Sequence, residues 1–164
     1  MKEIILANNK GIALIDDEDF NRINNYSWYE TNGYAVTKIT TGFKKPKQYS
    51  QNMHRLILNL PKYQYQVDHI NGNKLDNRKI NLRLCTTQLN AANRKVPKKW
   101  ASDSKYKGVH FEKTMLRKKR WRARIEVNYK KIDLGMYHTQ EDAALAYNLA
   151  ASKYFGEFAR LNIL

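Results

Sequence analysis

The sequence predicts an α+β fold: a small N-terminal sheet leads into a strand–loop–strand–helix unit, and a three-stranded antiparallel sheet packed on one helix follows. Three observations predict it. Short apolar runs broken by Asn, Gly and Pro fill the first half. Residues 120–127 then alternate without a break, with Trp121, Ala123, Ile125 and Val127 facing one way and Arg120, Arg122, Arg124 and Glu126 the other. Beyond them Thr139 precedes Asp142 by the spacing of a capping box, at the head of an alanine-rich helix. A chain of 164 residues has length for one ordinary domain or two small ones.

Taken in order, Ile4–Leu6 and Ile12–Ile15 flank Asn8-Asn9-Lys10-Gly11 and read as a hairpin. The acidic run Asp16–Asp19 suits a helix start, where the dipole favours negative charge, so a helix is expected from about Glu18 to Tyr26 with Phe20 and Ile23 inward. Strands are expected at 28–30, 34–38 and 49–53, with a tight turn at Asn32-Gly33 and a basic loop at 42–47. His54–Leu60 is a short apolar helix or strand ended by Pro61. The resulting organisation is a strand-rich region over 1–50, a second unit over 51–95, a polar linker over 96–104 and a last domain over 105–164. In the last, Lys107–Phe111, 120–127 and a third strand after Asn128-Tyr129-Lys130-Lys131 form the sheet. Ala143, Ala146, Tyr147, Ala150 and Ala151 give the helix its packing face, and Gly156 ends it.

Charge narrows the function. The net charge is +15. Residues 1–50 hold 7 basic and 6 acidic side chains, residues 51–95 hold 8 and 2, and residues 96–164 hold 15 and 7. Basic surface interleaved with aromatics is the footprint of a nucleic-acid binder, and the alternative is a solvated basic face with no partner. The single cysteine, Cys85, excludes an internal disulfide and a multi-cysteine zinc site. With no signal peptide and no run of membrane-span length, a cytoplasmic setting is expected.

The chemistry concentrates in Val67-Asp68-His69-Ile70-Asn71-Gly72-Asn73-Lys74-Leu75-Asp76-Asn77, followed by Asn81 twelve positions after His69 and Asn90 nine further on. Imidazole titrates near neutrality and serves as a general base. Carboxylate and carboxamide oxygens suit a hard cation. Taken singly, each of these residues has a plain reading: Asp68 as a surface acid, His69 as a packed histidine, the asparagines as turn and helix-start residues. Together, with Asn-Leu-Arg at 81–83 and Gln-Leu-Asn-Ala-Ala-Asn-Arg at 88–94, the string resembles the HNH homing endonucleases of phages and mobile introns. The resemblance implies a ββα-metal unit in which His69 is the base and Asn81 joins the catalytic set by tying the loop and helping to hold His69. It further implies that Asp68 and Asn90 ligate a divalent metal, magnesium first and manganese second. Because neighbours on a strand point oppositely, the strand end must bend at His69 if both side chains serve one phosphate. Arg94, on the helical face of Asn90, is assigned to the DNA backbone, and Asn93 beside it is left either touching phosphate or solvated. His54 is read as packing, outside catalysis.

The last domain is similar to the plant ethylene-response-factor (apetala-type) DNA-binding domain. Tyr106–His110, Trp121–Ile125, Leu134–Tyr137, Glu141–Tyr147 and Ala159–Asn162 carry the likeness. In that family the sheet lies in the major groove, whose dimensions admit a β-ribbon. Carried over by position, Lys107, His110, Arg120 and Lys131 are contact residues, and the alternation adds Arg122 and Arg124. Trp121 falls on the core face. The loop at 112–119 is longer and more basic than the plant pattern, so base preference does not transfer. The resemblance implies double-stranded DNA as partner and no membrane. One active site per chain predicts a nick by a monomer, a homodimer being compatible and no obligate protein partner implied. Two rivals stand beside this reading: a DNA-binding regulator with a retired nuclease unit, and a restriction or defence nuclease.

Overall fold

The computed structural model describes residues 1–7, 11–42, 47–61, 65–95, 104–113 and 120–164. The expected hairpin turn at 8–10, most of the basic loop at 42–47, the linker over 96–103 and the loop over 114–119 lie outside the described residues. The protein is mixed α/β, with several small antiparallel sheets and few helices. It divides into two compact units, Met1–Thr86 and Thr87–Leu164.

In the first unit β1 (Lys2–Ile5) pairs antiparallel with β2 (Ile12–Ile15). The helix expected over Glu18–Tyr26 is shorter: a 3-10 turn at Asp17–Asp19 runs into α1 (Phe20–Ile23). The Ile23 carbonyl, which a longer helix needs, instead accepts from the indole Nε1 of Trp28 at 2.8 Å and from the Tyr26 amide at 3.2 Å. β3 (Tyr29–Thr31), β4 (Tyr34–Thr41) and β5 (Lys47–Asn52) form a second antiparallel sheet in the order β3-β4-β5. The N-terminal region is thus two separate sheets where one was expected, and Lys47 belongs to a strand rather than to the loop. The apolar segment after β5 resolves as a helix, α2 (Met53–Ile57). β6 (Gln66–His69) and β7 (Leu82–Cys85) pair antiparallel with Asp68 opposite Arg83 and His69 opposite Leu82. Ile4, Leu6, Ile15, Ile23, Trp28, Met53 and Val67 are buried together, so one apolar core underlies all three sheets.

The second unit opens with α3 (Thr87–Ala92). This helix carries Asn90, and it compacts with the C-terminal module although the sequence organisation groups it with 51–95. Its apolar side is the reason: Ala92 is buried with Ile125, Tyr147, Ala151 and Phe155, and Leu89 packs beside them. The sheet is β8 (Val109–Phe111), β9 (Trp121–Val127) and β10 (Lys130–Tyr137) in the order β10-β9-β8. α4 (Gln140–Phe155) packs on it through Ala143, Ala144, Tyr147 and Ala151. The Thr139 side chain caps α4 by accepting from the Asp142 amide at 3.1 Å. Small side chains let helix and sheet approach closely. At Gly108 (φ +75°) an added Cβ would fall 2.1 Å from a Tyr147 ring carbon and 2.6 Å from the Arg124 carbonyl oxygen. Ser104, expected at the end of the linker, is part of the fold: it is buried, and its hydroxyl accepts from the Tyr106 amide at 3.1 Å. Among the described residues no helix is long and apolar enough to cross a membrane.

Candidate active site and nucleic-acid interface

His69 ends β6 inside a cluster of rings. Its imidazole lies edge-on to His54, with centroids 5.1 Å apart and planes at 86°, and 6.0 Å from the Tyr34 ring, which in turn lies 5.6 Å from His54. All three come from different elements, β6, α2 and β4, and the core beneath fixes their spacing. His54 therefore packs, as the sequence suggests, but what it packs against is His69. Burial holds the His69 imidazole below its ordinary range, with the Asn77 hydrogen bond and the nearby Asp68 and Asp76 carboxylates opposing the shift. Burial likewise lowers His54 to about 3, with His69 and Arg55 adding to it. Both rings are neutral at pH 7, which is the state a general base requires.

The partner of His69 on the loop is Asn77, a residue the sequence left in a polar turn. It is 1% exposed. Its Nδ2 donates to the Leu75 carbonyl at 3.1 Å, which turns its Oδ1 toward His69 Nε2 at 3.3 Å. A carbonyl oxygen only accepts, so in the neutral ring Nε2 carries the proton and Nδ1 the lone pair. Asn81 acts on the loop rather than on the ring. Its Oδ1 accepts from the Asn71 amide at 3.0 Å, its Nδ2 donates to the Asp76 carbonyl at 2.7 Å, and its own carbonyl accepts from the Ile70 amide at 2.9 Å. The expected tie between Asn81 and His69 thus runs through the loop backbone to Asn77. Asp76, also buried, is clamped by the Arg78 guanidinium at 2.7 and 2.6 Å and by Asn71 Nδ2 at 2.8 Å. Arg78 holds its carboxyl below the usual range, and Asn71 adds to this.

Asp68 leaves the strand on the other face. Its Oδ2 accepts from Arg83 Nε at 2.9 Å and Nη2 at 2.8 Å across the β6–β7 ladder. β6 remains in register through His69, so the bend expected within the strand is absent and the two neighbours meet different partners. Among the described residues no group of three or more His, Cys, Asp or Glu side chains gathers as a metal cluster. Asp68 lies in the first unit and Asn90 in the second; as residue types, a carboxylate and a carboxamide are hard oxygen donors of the kind that suits magnesium or manganese.

In the second unit the sequence-predicted contact residues separate into groups. Arg120, His110 and Lys131 are exposed, and Arg124 is partly exposed. Ala123 and Ile125 are buried between them, as the alternation requires. Arg122 is held by Glu112, just past the end of β8, and by Asp133 on β10, with Nη1 2.9 Å from Glu112 Oε1 and Nε 3.6 Å from Asp133 Oδ2. Trp121 packs edge-on against Phe111, with centroids 4.9 Å apart. Lys107 is turned inward: its ammonium donates to the carbonyls of Ala91, Ala92 and Arg94 at the end of α3. Arg94 is exposed, whereas Asn93 is buried rather than solvated. Sequence spacing has no means of showing the inward turn of Lys107, because the carbonyls it meets lie more than ten positions away.

Residues 59–92, the span holding Asp68, His69, Asn77, Asn81 and Asn90, match the family described as HNH endonuclease. An uncharacterized HNH endonuclease of Acanthamoeba polyphaga mimivirus is 32% identical over 166 residues, an alignment that takes in 96% of this chain and 79% of that protein.

Proposed function

This chain belongs to the HNH endonuclease family, and from that premise we propose that it is a divalent-metal-dependent nuclease of the homing type that hydrolyses a phosphodiester bond in duplex DNA and nicks one strand as a monomer. The observation that carries the reading is the buried, neutral His69, whose Nε2 is oriented by Asn77 and whose Nδ1 bears the lone pair. That ring takes a proton from the attacking water, and its burial keeps it in the basic form at neutral pH. Asn81 and Asp76 act one step away, fixing the loop that holds Asn77. Asp68 and Asn90 would hold a divalent cation, magnesium before manganese, with water and DNA oxygens completing its shell, and its chemistry there would be charge neutralisation at the leaving oxygen. Arg83 fixes the position of the Asp68 carboxylate through two hydrogen bonds to Oδ2.

The C-terminal sheet and helix form the DNA-docking module, and their likeness to the apetala-type domain supports a sheet lying in the major groove. His110, Arg120, Arg124 and Lys131 are its outward contact residues, with Arg94 beside α3. Arg122 joins them where DNA competes with its two acids. The test is supercoiled plasmid carrying the gene's own insertion neighbourhood, incubated with magnesium or manganese. Wild type is expected to produce open circles first, and His69→Ala to lose roughly 10²–10⁴ in rate, the usual worth of a general base. Uncut plasmid in both metals refutes the nuclease.

A further inference from the structure

The C-terminal unit has two basic hollows that share one residue, Lys107. One, of about 570 Å³, is bordered by α3 and the sheet and includes His110, Arg124 and Lys131, residues already assigned to DNA. The other, of about 320 Å³, lies where α3 ends and is lined by Arg94, Lys95, Lys105, Lys107 and Arg160. Among its described lining residues there is no acid.

Five like charges around one small hollow repel one another, and an anion in the hollow relieves that repulsion. Lys107 is accounted for: the last carbonyls of a helix lack intrahelical partners, and its ammonium satisfies three oxygens there. Burial lowers its pKa to about 8, and the fields of Arg160 and Arg94 push the same way, as expected for cations gathered without a counter-charge. Arg94, Lys95 and Lys105 are exposed and Arg160 is partly so, which leaves their head groups accessible from solvent. The Arg160 amide bonds the Ala92 carbonyl at 3.3 Å, and the Asn162 side chain bonds the Lys107 amide and carbonyl at 2.6 and 3.1 Å. The C-terminal segment is thereby stitched to the end of α3, and the walls of the hollow are fixed.

We propose that this hollow is a phosphate-binding subsite for the backbone of duplex DNA, formed by Arg94, Lys95, Lys105 and Arg160 around the lysine-capped end of α3. The inference rests on the reading of this chain as a DNA nuclease, and it adds Lys95, Lys105 and Arg160 to the contact surface while giving Lys107 a supporting part. Location gives the subsite its use. Arg94 stands four residues beyond Asn90 in sequence, two past the end of α3. A phosphate held here is held at the end of the short helix that carries Asn90. Backbone contact at this point sets the register of the strand at the helix carrying a metal donor, separately from sequence reading by the sheet.

The experiment measures binding of the full chain to a labelled DNA duplex of arbitrary sequence, without divalent metal, across a salt series. Lys95→Ala, Lys105→Ala and Arg160→Ala are each expected to weaken affinity several-fold and to reduce the slope of log K against log salt by about 0.9, the increment for one lost phosphate contact. Lys38→Ala on β4 and Lys153→Ala on α4, both exposed, are the controls. Losses no greater than the controls overturn the proposal, and so do variants that weaken binding to a duplex RNA of the same length while leaving DNA unchanged. If Arg160→Ala lowers the melting temperature, the lysine variants with their exposed head groups decide alone. No cleavage is needed. A wild type that binds here yet leaves plasmid uncut in magnesium and in manganese removes the nuclease reading and leaves the subsite standing, while variants that bind like wild type remove the subsite whatever the cutting shows.

Discussion

Replacing His54 by glutamine tests the ring cluster around His69 through acid stability. In the folded protein His54 titrates near about 3, against an ordinary value of 6.5. The unfolded chain therefore binds the proton first as pH falls. Stability from the neutral buried ring is complete above 6.5 and is lost progressively between 6.5 and 3. From pH 7 this amounts to about 1 kcal/mol by pH 5.5 and about 2–3 kcal/mol by pH 4.5, at 1.36 kcal/mol for each pKa unit. His69 works in the same direction, because its pKa is also lowered. Buried carboxylates such as Asp76 contribute a further acid loss that both proteins share, so the quantity to read is the difference between wild type and His54→Gln. Urea unfolding followed through amide signals of β4 and α2 supplies it at each pH. The glutamine variant loses some stability at pH 7 through altered packing, but its stability should fall less steeply on acidification by the stated amounts. Parallel curves for the two proteins would show that His54 is not held neutral by burial.

Two further sets of substitutions probe the second unit. Gly108→Ala places a methyl against the Tyr147 ring and the Arg124 carbonyl at a φ of +75°. It should cost about 3 kcal/mol or more in thermal unfolding of that unit, and a loss under about 1 kcal/mol would mean that the strand and α4 do not approach this closely. Arg120→Ala and Arg124→Ala should each lower the salt slope of DNA binding by about 0.9, whereas Arg122→Ala should change it less because Glu112 and Asp133 already hold that guanidinium. Equal effects at all three positions would show that DNA displaces both acids.

Local chemistry explains which parts of this fold are readable from residues alone. The alternation at 120–127, the Thr139–Asp142 cap and the alanine face of α4 are short-range patterns, and each forms where its period places it. α1 is shorter than its pattern because Trp28, five positions on, takes the carbonyl that the next turn would use. The site shows the same division. The types and spacing of Asp68, His69, Asn81 and Asn90 are visible in one dimension. The aromatic neighbours are not, because α2, β4 and β6 bring His54 and Tyr34 to His69 from 15 and 35 positions away. Asn77 escaped for a different reason: Leu-Asp-Asn-Arg reads as turn composition, and loop asparagines are mostly exposed. A polar loop residue buried to 1% is legible only once the loop is folded.

The polar interior of the first unit is consistent with the role proposed for the His69 ring. His54, Asp68, His69, Asp76, Asn77 and Asn81 are all buried, in a unit whose apolar core is modest. Each such group costs stability unless its hydrogen bonds are met. The loop meets them by stacking short-range turns. The Asn71 and Asn73 side chains accept from the amides two residues on, at 2.8 and 3.1 Å, and the Gly72 amide returns to the His69 carbonyl at 2.8 Å. Asn81 then closes the loop from β7's end and Arg78 neutralises Asp76. An apolar plug of the same volume would stabilise the unit as well or better, but it would offer no acceptor to His69 Nε2. A satisfied polar network makes the imidazole's orientation a property of the folded backbone, as the proposed base role asks. Removing one member should then affect ring orientation and stability together, because the same few hydrogen bonds serve both.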